Sequence, residues 1–190
     1  MDTKGKLFTV LFIGIFVGVV FGVETVNISN SKTCPQLDQV DKADLVVIND
    51  RYYFPQAYKL IQDSKTSIHL AMFELKYYPR FPISPSNKLV KEIIQAHQRG
   101  VEVKIVMDQY VKDNSAFDLI AENNISIKYD SENQTLHAKL IIVDGEKVMV
   151  GSTNPTYYGL EKNRETNVYI RNEEIAQQYE QWFQELWDEV

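Results

Sequence analysis

Residues 137–154 read HAKLIIVDGEKVMVGSTN. Leu136 to Val143 is dense in Leu, Ile and Val, and Asp144-Gly145 closes it with a hairpin turn signal. The run is therefore a strand, with Lys147 to Gly151 as its returning partner. Residues two apart on a strand share a face, so His137 and Lys139 project together. Ser152 and Asn154 are again two apart. The hairpin gathers four polar side chains whose chemistry suits a phosphate ester. A histidine serves as nucleophile or proton donor near neutral pH. A lysine offers fixed positive charge to a phosphoryl oxygen, and serine and asparagine add neutral donors. H-x-K alone would fit any surface hairpin. The full spacing H-x-K-x4-D-x6-G-S-x-N is far harder to meet by accident.

Strands and helices alternate outward from this hairpin. Asp44 to Asn49 is a short apolar run and reads as a strand; Pro55 to Asp63 reads as a helix burying Ala57, Leu60 and Ile61. Ser67 to Leu75 is a second strand. Pro85 to Arg99 is a helix with Ser84 as its cap, Pro85 in its first turn and Gly100 at its end. Val101 to Asp108, Ser115 to Asn123 and Ile125 to Tyr129 read as strand, helix and strand. Thr166 to Ile170 is a further strand. Glu173 to Glu189 is an amphipathic helix whose stripe of Ile175, Ala176, Tyr179, Trp182, Phe183, Leu186 and Trp187 faces a core. The expected fold is α/β, a mixed β-sheet flanked by helices. No internal repeat supplies a second copy of the motif.

The pattern resembles the HKD signature of the phospholipase D superfamily, with His137, Lys139, Asp144, Gly151, Ser152 and Asn154 filling its positions. The likeness extends over roughly residues 44–190. With one motif, the chain is similar to the single-motif members, among them the bacterial endonuclease Nuc and the mitochondrial Zucchini-type phospholipases D. Glu165 falls where such members carry a glutamate that supports the histidine. The Cys/His zinc module of many Zucchini-type proteins has no counterpart, because Cys34 is the only cysteine.

The resemblance implies one half-site per chain and a homodimer that brings two copies of His137 together. One copy attacks phosphorus; the other protonates the leaving oxygen. Lys139 and Asn154 steady the phosphoryl oxygens, Ser152 adds a hydrogen bond and Glu165 orients a histidine. Asp144, before Gly145, is expected to be a structural turn residue, as is Gly151. The chemistry calls for no cofactor and no metal. It predicts activity in EDTA and a bell-shaped pH profile. His69 and His97 complete the chain's three histidines and read as structural.

The substrate is less constrained. Nucleic acid, single-stranded DNA or RNA, is the first expectation. The loop Lys76, Tyr77, Tyr78, Arg80 and Phe81, with Tyr157 and Tyr158, offers cations and rings to bases and phosphates. Membrane phospholipid is the alternative. A third is an inactive nucleic-acid-binding or membrane scaffold protein. The net charge of −6 weighs mildly against tight nonspecific nucleic-acid binding.

Leu7 to Val23 carries no charge and follows Lys4 and Lys6. Residues 1–23 read as a signal peptide or an N-terminal membrane anchor. The anchor is preferred, because the run is long for a signal core and Val20-Phe21-Gly22 is a weak cleavage site. Gly14, Gly18 and Gly22 share one helical face suited to helix pairing. Residues 24–43 read as a polar linker, and the catalytic domain spans 44–190. The lysines stay cytoplasmic and the domain is exported, or secreted or periplasmic after cleavage.

Overall fold

The structure, a computed structural model, describes residues 45–110, 112–113 and 115–190. The leader, its glycine face, Cys34 and the linker lie outside the described residues. Among those residues, no helix is long and apolar enough to cross a membrane.

The chain runs β1 (Leu45–Asn49), α1 (Tyr53–Gln62), β2 (Ser67–Met72), α2 (Pro85–Gln98), β3 (Glu102–Met107), α3 (Phe117–Glu122) and β4 (Ser126–Tyr129). It continues through β5 (Lys139–Val143), β6 (Lys147–Gly151), α4 (Tyr157–Glu161), β7 (Thr166–Arg171) and α5 (Glu173–Glu189). The strands form one mixed sheet in the order β1-β7-β6-β5-β2-β3-β4. β2, β3 and β4 are parallel, and the remaining pairings are antiparallel.

β5 lies mid-sheet with all five residues buried. Its alternate side chains feed two cores, as period-two geometry requires. Ile141 and Val143 join the larger cluster with α1 and α2. Leu140 and Ile142 join Ala176 and Phe183 of α5 on the opposite face. Each cover helix is fixed by its ends. The Ser84 side chain accepts the Asn87 N–H at the start of α2, where Pro85 needs no donor. Gly100 leaves that helix at φ +93. The Asn172 side chain accepts the Ile175 N–H to start α5.

Three details depart from the sequence reading. The ladder of β5 begins at Lys139, not Leu136, because the Leu136 N–H goes to the Asp108 carboxylate. β2 stops at Met72, because the Leu75 carbonyl accepts from Ala116 and the Lys76 N–H goes to Pro155. Helix α4 was not expected; its five residues, YYGLE, are too few for a periodic pattern.

The hairpin register places Asp144 at the far end of β5 from Lys139, roughly 17 Å away at about 3.3 Å per residue. Both Asp144 and Gly145 adopt positive φ. The carboxylate does more than close the turn. Its Oδ1 accepts N–H bonds from Lys65 (2.9 Å), Thr66 (2.8 Å) and Ser67 (3.3 Å), pinning the α1–β2 loop. Burial pushes its pKa up, but these donors outweigh burial and hold it below the usual range. Asp144→Ala is expected to cost about 2 kcal/mol of stability while leaving the motif histidine in place. A depressed carboxylate stabilises the fold above its unfolded-state pKa and loses that effect as pH falls through the folded one. The gap between wild type and variant in urea melts should therefore close below about pH 4.

Candidate active site at one end of the sheet

The carboxyl ends of β1, β2, β3 and β6 and the amino ends of β5 and β7 meet at one end of the sheet. The motif residues other than Asp144 collect there. His137 is exposed, on the segment entering β5. That segment is held by Asp108, a fully buried carboxylate at the end of β3. Its Oδ2 accepts the Leu136 N–H at 2.9 Å and its Oδ1 accepts the Tyr110 N–H at 2.8 Å. Sequence reasoning missed Asp108, since a lone Asp after a strand carries no distinguishing signal.

Lys139 is 7% exposed. Its Nζ donates to the His137 carbonyl at 2.8 Å, folding the cation back toward the histidine. The Phe73 ring touches both, with the ammonium 4.9 Å from its centroid and the imidazole edge-on at 4.8 Å. Burial pushes the Lys139 ammonium below the usual lysine range, against the pull of Glu74, Glu165 and Asp108. A cation already stripped of water and flanked by carboxylates is well placed to receive a phosphoryl oxygen.

Gly151 pairs with Asn167 across β6 and β7. A Cβ there would run into the Asn167 side chain and the Thr166 carbonyl, so only glycine lets the strands close. Buried Asn167 accepts the Thr153 N–H at 3.2 Å and donates to the Thr153 hydroxyl at 2.9 Å and the Ile48 carbonyl at 3.3 Å. It ties the serine–asparagine turn to the sheet. Ser152 Oγ accepts the Thr166 N–H at 3.1 Å and donates to the Glu165 carboxylate. The second Glu165 oxygen accepts from the Asn163 amide at 2.9 Å. Glu165 thus meets Ser152, not the histidine of its own chain. Its backbone exchanges two hydrogen bonds of 2.9 Å with Asp50. The Glu165 N–H, and next the Arg164 guanidinium, hold the Asp50 carboxyl below its usual range.

The buried side-chain Oδ1 of Asn154 has no hydrogen-bond partner among the described residues. Its backbone is tightly placed. The carbonyl accepts the Thr156 N–H at 2.8 Å, and Gly159 passes so close that a Cβ would strike that carbonyl.

The remaining expected residues divide. Lys76 is 6% exposed, with its ammonium on the Asp113 carbonyl and 3.7 Å from Glu74. Tyr77 packs against the larger core. Lys76 thus lies inside the loop and Tyr77 is half-buried, where an open basic-aromatic loop was expected. Half-buried Tyr78 accepts the Tyr157 N–H at its hydroxyl, 3.2 Å away. Arg80, Tyr157 and Tyr158 are exposed beside it. His69 lies under α5, its Nδ1 2.5 Å from Glu180 and its ring stacked 4.8 Å from Phe183. His97 lies on α2. Neither joins His137. Among the described residues, no group of three or more His, Cys, Asp or Glu is arranged to hold a metal ion.

Two clefts flank the motif. One of about 280 Å³ lies between His137, Gln134, Trp182 and the carboxylates Asp130, Glu185 and Glu189. The other, of about 800 Å³, is walled mainly by Tyr78, Phe81, Pro82, Ile83, Tyr157 and Tyr158.

Asp108→Asn is expected to lower kcat about 10- to 100-fold with little change in KM. An amide must aim its NH2 at one of the two N–H donors, so the histidine segment shifts while the binding groups stay. Single-turnover kinetics with far-UV circular dichroism would check this; a changed KM at unchanged kcat would contradict it.

A family model described as cardiolipin synthase, PLD-like domain, matches residues 58–187. The mitochondrial cardiolipin hydrolase of Xenopus tropicalis is 28% identical over 103 residues, 53% of this chain and 49% of that protein. That of Canis lupus familiaris is 30% identical over 106 residues, 55% of this chain and 42% of that protein. The chain thus spans about half the length of these curated relatives or less. Among solved structures, the phospholipase D family member Nuc from Salmonella typhimurium aligns with a TM-score of 0.66 at 28% identity, over 76% of this chain and 93% of Nuc. NucT from Helicobacter pylori aligns with a TM-score of 0.63 at 16% identity over 76% of this chain and 95% of NucT, a likeness of fold.

Proposed function

The chain belongs to the phospholipase D superfamily of phosphodiesterases, and from that premise we propose that it is a metal-independent endonuclease working through a phosphohistidine between two copies of the chain. The observation that carries the reading is an incomplete set on an open edge. One exposed histidine, one buried lysine and one asparagine whose side-chain oxygen has no partner among the described residues collect there, and the chain's other two histidines lie elsewhere. In-line displacement needs a nucleophile on one side of phosphorus and an acid on the other. A twofold dimer supplies the second histidine.

A neutral His137 ring nitrogen forms a bond to phosphorus as the bond to the leaving oxygen breaks. The protonated His137 of the second copy gives that oxygen its proton. The same histidine, now neutral, takes a proton from water. The hydroxide oxygen attacks phosphorus, the N–P bond breaks, and both histidines return to their starting states. Lys139 and Asn154 hold the phosphoryl oxygens that gain charge. Glu165, oriented by Ser152 and Asn163, steadies the histidine of the second copy.

Nucleic acid is supported by the likeness over nearly the whole of Nuc and by the openness of the His137 edge, which admits a polymer. Phospholipid hydrolysis is the second reading. The apolar cleft next to the motif and the cardiolipin hydrolases among the relatives favour it. The test is cleavage in EDTA by the full chain in mild detergent, with single-stranded DNA, duplex DNA, RNA and mixed phospholipid micelles side by side and His137→Ala as control. Cleavage of a nucleic acid that is lost in the variant is the expected result. Cleavage of lipid alone would move the assignment to phospholipase, and no cleavage would leave a binding protein.

A further inference from the structure

We propose that the face built from residues 78–85 and 157–162 docks on a lipid bilayer, seating its apolar side chains at the headgroup–acyl boundary beside the candidate active site. This surface goes beyond the phosphodiesterase reading and does not depend on which phosphodiester is cleaved.

Phe81 is 65% exposed, Ile83 79% and Tyr158 66%, and with Pro82 and Tyr157 they line one continuous cleft. Such a contiguous apolar patch on a protein of net charge −6 is unlike scattered surface hydrophobes. It is also built. Fully buried Asn87 accepts the Tyr78 N–H at 2.7 Å and donates to the Tyr78 and Phe81 carbonyls at 2.8 and 3.0 Å. Buried Ser86 and the Lys76 N–H both donate to the Pro155 carbonyl, stitching the loop after β2 to the turn after Asn154. A loop held this firmly presents Phe81 and Ile83 outward as its stable state.

The charges at the rim choose the occupant. Arg80 lines the cleft, Lys91 Nζ donates to the Pro82 carbonyl at 3.2 Å, and Lys162 Nζ sits 5.3 Å from the Tyr157 ring. Against these cations the cleft carries one carboxylate, Glu161. In an otherwise acidic domain, cations ringing an apolar, tyrosine-rich patch match lipid phosphates above acyl chains. The chain outside the described residues fits the same partner. The uncharged run of the sequence, Leu7 to Val23, is separated from Leu45 by only 21 residues, so a membrane segment there would tether the domain to a bilayer.

The test uses the full chain reconstituted into phospholipid vesicles. Ile83→Trp adds an indole at a site exposed enough to leave folding undisturbed. Gln95→Trp, near the far end of α2, is the control for mere tethering. Vesicles with and without acyl-brominated phosphatidylcholine are compared, subtracting the native tryptophan signal of the parent chain. The expected result is loss of most of the Ile83→Trp emission in brominated vesicles and little loss for Gln95→Trp. Equal quenching at both positions, or none at either, would overturn the proposal. Quenching of Ile83→Trp only by single-stranded oligonucleotide would reassign the face to nucleobases. Emission shifted to the blue but unreached by bromine would assign it to a second copy of the chain. None of these outcomes bears on the phosphodiesterase reading, which His137→Ala tests separately.

Discussion

His137→Ala is expected to abolish turnover, by about 10⁴-fold or more, because it removes both the group that bonds to phosphorus and the group that protonates the leaving oxygen. His137 is exposed, so the fold should melt at nearly the wild-type temperature. The stronger measurement is a mixture. Wild-type and variant chains are co-refolded in equal amounts and turnover is measured per total chain. If each site needs a histidine from both copies, only pairs of wild-type chains work and about a quarter of the activity survives. Survival of about half would mean that each chain carries a complete site, against the proposed dimer.

Lys139→Met is expected to lower kcat/KM about 10²- to 10³-fold, the usual effect of deleting one charged donor from a developing phosphoryl centre. Its effect on stability should be slight, and this combination distinguishes a catalytic cation from a structural one. Holding an ammonium at 7% exposure is unfavourable, as its lowered pKa reports. Methionine keeps the aliphatic stem over Phe73 and removes the desolvated charge, a change that in buried sites is often neutral or stabilising. The nearby Glu74, Glu165 and Asp108 lose a counter-charge, which offsets part of that gain. Steady-state kinetics and a thermal melt check both halves. A variant that unfolds would make Lys139 a structural residue.

Most strands and the long helices could be read from the chain because their signals are local. Ser84-Pro85 and Gly100 bracket α2 within one residue, and the apolar runs on either side of Asp144-Gly145 define β5 and β6. The motif stands at one end of the hairpin because H-x-K leads into β5 and G-S-x-N leads out of β6, and the antiparallel pairing of those strands brings the two ends together. The inward course of Lys76 could not be read for the opposite reason. A basic-aromatic string looks the same whether its side chains point to solvent or inward, and only the bonds of Lys76 to Asp113 and of its N–H to Pro155 decide the direction.

The sequence by itself determined the mixed α/β fold, the phosphodiesterase family and a single H-x-K motif. Those follow from residue type and spacing over short distances. The tertiary structure alone decided what holds the motif residues in place. Asp108 grips the histidine segment across 28 residues, Asn167 ties the turn after Gly151 to β1, and Glu165 turns to Ser152. It likewise decided that Asp144 reaches back 77 to 79 residues to the α1–β2 loop, and that one face beside the site is apolar. Each is a contact between segments far apart in the chain. Such contacts depend on sheet order and register, which local patterns of charge and hydrophobicity do not encode.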